Sequence, residues 1–164
     1  MMKTPKIAFV FMLLLSLATA LQAQKKVESE AATLKFSMEE GSELKVGSKT
    51  KFLIEATPKA GWHVYSAIPS EDGAYQPAVL GWDITSRGFE TEAKIEEKGG
   101  LIEAFDEIMN GTVRYYKGVV VFSQEMKLTE KDVLLEGFFD YMACNDEKCI
   151  PLTAEIKFEA KAKE

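Results

Sequence analysis

Beyond residue 32 the chain alternates apolar and polar positions with a period of two. In KTKFLIEATP (49–58), Phe52, Ile54 and Ala56 fall on one face while Lys51 and Glu55 look away, the pattern of a half-buried strand. Segments 33–37, 78–85, 89–95, 113–122, 132–141 and 150–158 have similar length and are rich in β-branched or aromatic residues. Turn markers separate them: Gly41-Ser42, Gly47-Ser48, Pro58 to Gly61, Glu71 to Gly73, Gly99-Gly100 and Asn110-Gly111. No stretch carries an i, i+3, i+4, i+7 stripe over three turns. The expected fold is therefore all-β: a single antiparallel sandwich of about seven to nine strands, with immunoglobulin-like topology.

The amino end breaks this pattern. Lys3 and Lys6 precede the apolar run Ile7 to Leu17, followed by small residues at Ala20 and Ala23. That is the layout of a secretory signal peptide, and the run is too short to span a bilayer comfortably. The expected organisation is a signal peptide over 1–23, a polar lead-in over 24–32, the sandwich over 33–159 and a charged tail over 160–164. Export to an envelope compartment where disulfides are allowed follows. With 46% hydrophobic and 28% charged residues, the chain is neither disordered nor built on a Cys-dense scaffold. Past the leader, 18 basic residues face 26 acidic ones. Such a surface works against binding to nucleic acid or anionic lipid.

Candidate chemistry is confined to Cys144 and Cys149, separated by four polar residues between two expected strands. Four-residue loops commonly join hairpin strands, which brings both Cβ atoms within disulfide reach. One reading is a structural bridge. Closing about six residues, however, removes only about 2 kcal/mol of unfolded-state entropy, against more than 4 for a loop spanning a domain. A bridge that contributes so little opens without unfolding its host, as redox cycling requires. The spacing is not C-x-x-C, and no helix start follows to lower a thiol pKa as in thioredoxins. His63, the only histidine, gives with the cysteines three irregularly spaced groups, a poor metal site. No nucleophile elbow, phosphate-cradling loop or zinc-protease helix is present. No cofactor beyond a redox-active disulfide is expected.

Tyr141 to Thr153 (YMACNDEKCIPLT) resembles the redox motif of the amino-terminal domain of the DsbD thiol:disulfide interchange family of bacterial envelopes. Gly61 to Ser66 (GWHVYS) is similar to that family's aromatic Gly-x-x-x-Tyr segment. Ala104 to Phe122 resembles its cap loop and following strand. The resemblance runs from about Thr33 to Phe158. It implies an immunoglobulin-like domain with a reversible disulfide, acting as a thiol:disulfide oxidoreductase. Such a relay takes electrons from a thioredoxin-like donor fed by a membrane transporter. It passes them to periplasmic isomerases or to thioredoxins of cytochrome c biogenesis. Carried onto this chain, Cys149 attacks and forms the mixed disulfide, and Cys144 resolves it. Asp106, Glu107 and Ile108 form a cap over the pair, and Tyr65 and His63 line the site. Carboxylates in the cap would raise the thiol pKa values and hold the pair unreactive until docking.

Three features depart from the family pattern. Four residues rather than five separate the cysteines, Ile108 and Met109 replace an aromatic pair in the cap, and His63 stands where the family has tyrosine. Near a thiolate, an imidazolium favours ionisation and makes exchange pH-dependent near neutrality. The chain ends soon after the motif, so the transporter is expected on a separate polypeptide and the protein as a monomer. The rival function is a non-catalytic exported binding module whose hairpin disulfide is structural.

Overall fold

The computed structural model describes residues 25–107 and 109–164. The expected signal peptide and Ile108 of the cap lie outside them. Twelve strands and no helix are found among the described residues: β1 (Lys25–Glu28), β2 (Ala32–Met38), β3 (Lys49–Pro58), β4 (His63–Tyr65), β5 (Val79–Trp82), β6 (Phe89–Thr91), β7 (Glu96–Gly99), β8 (Ile102–Asp106), β9 (Gly111–Tyr116), β10 (Val120–Leu128), β11 (Asp132–Cys144) and β12 (Cys149–Lys161). All their pairings are antiparallel. One sheet runs β1-β2-β3-β10-β6, with β7 also on β10. The other runs β12-β11-β4-β9-β8, with β5 also on β11. The two form the expected antiparallel sandwich.

Alternation decides the core. Phe36, Phe52, Ile54, Phe122 and Met126 of the first sheet, and Val64, Tyr116, Leu135, Phe139 and Ile156 of the second, are buried in one cluster. Rings interlock across the layers: Phe52 meets Phe158 at 5.8 Å and Trp82 at 5.4 Å, and Phe122 meets Phe139 at 5.1 Å. These are edge-on or tilted approaches, which suit the ring quadrupole. The buried Gln124 carbonyl accepts the indole N–H of Trp82 at 2.6 Å. Where β5 crosses β11, a Cβ on Gly137 would sit 2.1 Å from the Gly81 carbonyl oxygen, so only glycine allows that approach.

Several details differ from expectation. Among the described residues there are twelve strands rather than seven to nine, because short or polar ones such as β4 and β7 (EEKG) lack a readable alternation. The run 113–122 is not one strand. It turns at residues 117–119 and passes from the second sheet to the first. The lead-in is not featureless either: Lys25–Glu28 pairs with β2, and Ala31 and Ala32 are fully buried. At the other end the charged tail is tied down. Ala162 N–H donates to Lys131 O and Lys163 N–H to Leu44 O, and Ala162 is buried.

Candidate functional site

Strands β11 and β12 pair in continuous register from Asp132↔Lys161 to Cys144↔Cys149, closing on the four residues 145–148. The turn is held locally. Asn145 Oδ1 accepts the N–H groups of Glu147 and Lys148 at 2.9 and 2.8 Å, an Asx-type closure. Lys148 then reaches back to Glu30 at 2.8 Å and lies 5.5 Å over the Trp62 ring. Cys144 and Cys149 are disulfide-bonded, with S–S 2.05 Å and Cα atoms 4.1 Å apart.

The two sulfur-bearing residues are not equivalent. Cys144 is 2% exposed, whereas Cys149 is exposed on the outer strand β12. Neither belongs to the main core. Cys144 sits in a second, smaller cluster with Tyr65, Tyr75, Val113 and Met142, against which Met109 and Tyr115 pack. Alternation explains the split. Ala143 and Val64 pair and point into the sandwich, so their neighbours Cys144 and His63, which also pair, point to the opposite face. His63, Cys144 and Cys149 thus form a row across β4, β11 and β12. Tyr65 and Tyr115 pair one strand further on. The rings are contiguous: His63 lies 4.5 Å from Tyr115 and 5.4 Å from Tyr65, and Tyr65 lies 5.0 Å from Tyr75.

Two segments cover this face. The first is the turn joining β8 to β9, where the sequence places its cap. Asp106 closes β8 opposite Gly111 and accepts Met109 N–H at 2.8 Å. Asn110 adopts the left-handed conformation, φ 51°, which asparagine tolerates better than most residues. Met109 brings the turn onto the Cys144 cluster, while Glu107 is exposed to solvent. The second is a strap, residues 66–78, that the sequence reading did not assign. Buried Ser66 and the amide of Ala67 anchor its start to the carboxylate of Glu97 on β7 of the other sheet. Tyr75 then descends into the cluster, with its hydroxyl bonded to Ile68 O. Asp72 staples the strap to the start of β9: it accepts Thr112 N–H at 2.8 Å, and a Cβ on Gly111 would lie 2.6 Å from Ala74. The visible signals were Asp72-Gly73, read only as a turn, and an isolated tyrosine in a polar loop.

Electrostatics follow the burial. Burial pushes the His63 imidazole below its ordinary value, with Lys117 adding to the effect and Asp106 and Asp146 opposing it. The Tyr65 hydroxyl is pushed up to about 12 by burial, then by Asp106 and the neighbouring tyrosines. Tyr75 shifts the same way, again mainly through burial. The Tyr65 and Tyr75 phenols therefore stay neutral at pH 7. Among the described residues no group of three His, Cys, Asp or Glu side chains is arranged to hold a metal ion. No helix dipole is at hand to stabilise a thiolate among the described residues.

Structural comparison aligns 84% of this chain with the N-terminal periplasmic domain of ScsB from Proteus mirabilis, at a TM-score of 0.59 and 17% identity. This chain has the fold of that domain. The alignment takes in 51% of the ScsB chain, so the protein spans about half the length of its structural relative. That fold is the one the DsbD-type resemblance implied, an immunoglobulin-like sandwich carrying a disulfide. Looser matches are the GAE domain of yeast GGA1, with 5% identity over 80% of this chain and 95% of that one at TM-score 0.41, and the GAE domain of GGA2p from Saccharomyces cerevisiae, with 9% identity over 83% and 97% at TM-score 0.46. No protein-family model matches the sequence, and no curated protein does.

Proposed function

We propose that this protein is a periplasmic thiol–disulfide relay that carries electrons on a reversible Cys144–Cys149 disulfide. One observation carries the reading: the bridge lies outside the main core, with one sulfur-bearing residue exposed and the other buried beneath a cap. Exchange requires an incoming thiolate to reach one sulfur while the other leaves. Exposed Cys149 is the accessible target, and Cys144 is the leaving group. In the reverse direction Cys149 attacks a partner disulfide and Cys144 resolves the mixed disulfide. The bridge closes a hairpin that twelve further residue pairs already hold in register, so opening it leaves the sandwich assembled.

Asp106, Glu107, Ile108 and Met109 act as the cap over the reduced pair, and Tyr65 as site lining. Partners are thioredoxin-like envelope proteins, with electrons supplied by a membrane transporter. The ScsB domain is periplasmic, which supports the same compartment here, together with the signal-like residues 1–23. Redox titration against glutathione with thiol alkylation tests the reading. A relay titrates at potentials milder than about −300 mV and keeps its circular dichroism when reduced. Cys149→Ser abolishes transfer, and Cys144→Ser traps a partner through Cys149. A bridge that stays oxidised below that potential, or whose reduction unfolds the protein, makes the disulfide structural and removes the proposal.

A further inference from the structure

The resolving step poses a chemical problem that the geometry answers. Cys144 is 2% exposed among Tyr65, Tyr75, Val113 and Met142. A thiol there has no ready access to water as a base, and burial disfavours its thiolate. Yet only the thiolate can attack the mixed disulfide. Directly opposite Cys144 in the register of β4 and β11, on the same face, stands His63. Such cross-strand pairs place their Cβ atoms roughly 5 Å apart. Resting on the relay reading above, we propose that His63 is the base that takes the proton from Cys144 when it resolves the mixed disulfide.

The step balances. The Cys144 S–H proton passes to imidazole, and the Cys144 sulfur forms a bond to Cys149 Sγ. The Cys149–partner bond breaks, and the partner sulfur leaves with the electron pair as thiolate. The partner is reduced, the cysteine pair is oxidised, and the imidazolium returns its proton to solvent. The surroundings of His63 suit the role. Lys117 beyond β9 disfavours the imidazolium at rest, Asp106 of β8 and Asp146 of the hairpin turn favour it, and Tyr115 and Tyr65 hold the ring from two strands. With burial the dominant influence, the ring is neutral at pH 7 and free to accept. Tyr65 and Tyr75 face the same cluster but are neutral phenols at that pH, acids too weak and bases too poor for the exchange.

The test is reduced protein mixed with the aromatic disulfide 5,5′-dithiobis(2-nitrobenzoate). Attack by Cys149 releases one thionitrobenzoate, and resolution by Cys144 releases the second. In the wild type the second phase rises with pH through an ionisation below 6.5 and then levels. His63→Gln leaves the first phase within twofold and slows the second at pH 7 by about 100-fold, the lower end of the range for general acid–base catalysis. The deficit closes as pH climbs toward the thiol's own ionisation. His63→Phe behaves alike if the fold is kept. An unchanged second phase in His63→Gln, equal slowing of both phases, or a wild-type second phase following only a thiol ionisation above pH 8 overturns the assignment. Absence of any second phase in the wild type would instead strike the relay reading itself.

Discussion

The sandwich interior and the cluster around Cys144 lie on opposite faces of β4, β9 and β11, yet they are different materials. Inside, Phe36, Phe52, Phe122, Phe139 and Leu135 are fully or almost fully buried and interlocked between two sheets. On the outer face, Cys144 shares a patch with Tyr65, Tyr75 and Met142, roofed by one turn and one strap. The interior has a whole sheet for a lid, whereas the outer cluster has two loops. Loops hold fewer apolar contacts and open at lower free energy than core strands. Placing the disulfide in the second environment lets chemistry at sulfur proceed without disturbing the first.

The contrast makes graded predictions. Phe52→Ala removes a ring that touches Phe36, Trp82 and Phe158. It is expected to cost about 3–5 kcal/mol in denaturant unfolding. Replacing both cysteines, Cys144→Ala with Cys149→Ala, is expected to cost about 2 kcal/mol, the closure entropy of so short a loop. A loss as large as that of Phe52→Ala would mean the two regions are one cooperative unit. Met109→Ala is expected to change stability by about 1 kcal/mol or less, as for a partly exposed side chain. It should speed reduction of the bridge by dithiothreitol severalfold, because the cap loses its contact with the Cys144 cluster. An unchanged rate would show that the turn does not shield the pair.

The smallest effect concerns Asp72. Its carboxyl is held below the usual value, first by the hydrogen bond from Thr112 N–H. A depressed carboxylate contributes stability that is fully present above its unfolded value near 3.8 and is lost as pH falls through its lower folded value. Acidification below that window should release the strap from β9 while the sandwich persists. Faster exchange of the Thr112 amide, with unchanged exchange in β3 and β10, is the expected signature. Simultaneous loss everywhere would argue that strap and core open together.

Much of this was legible beforehand, and the reasons are specific. β3 and the long β11–β12 hairpin alternate cleanly because one face of each is packed and the other solvated. The four-residue turn between the cysteines was readable from its polar composition, and their pairing is what the hairpin enforces. Strands β1 and β7 were hidden because nearly all their positions are polar and exposed, so only backbone pairing reveals them. The strap was hidden because its anchors, Glu97 and Thr112, come from strands far along the chain.

Alternation alone determined which residues share a face, since successive side chains on a strand point to opposite sides. Which faces meet was decided by the folded chain. His63 and Cys144 lie far apart in sequence and become neighbours only because β4 pairs with the end of β11. The exposure difference between the two cysteines has the same origin: β12 is an outer strand, while β11 is bracketed by β12 and β4. Local sequence carries the period of a strand, but its partner is chosen by packing across the whole sandwich.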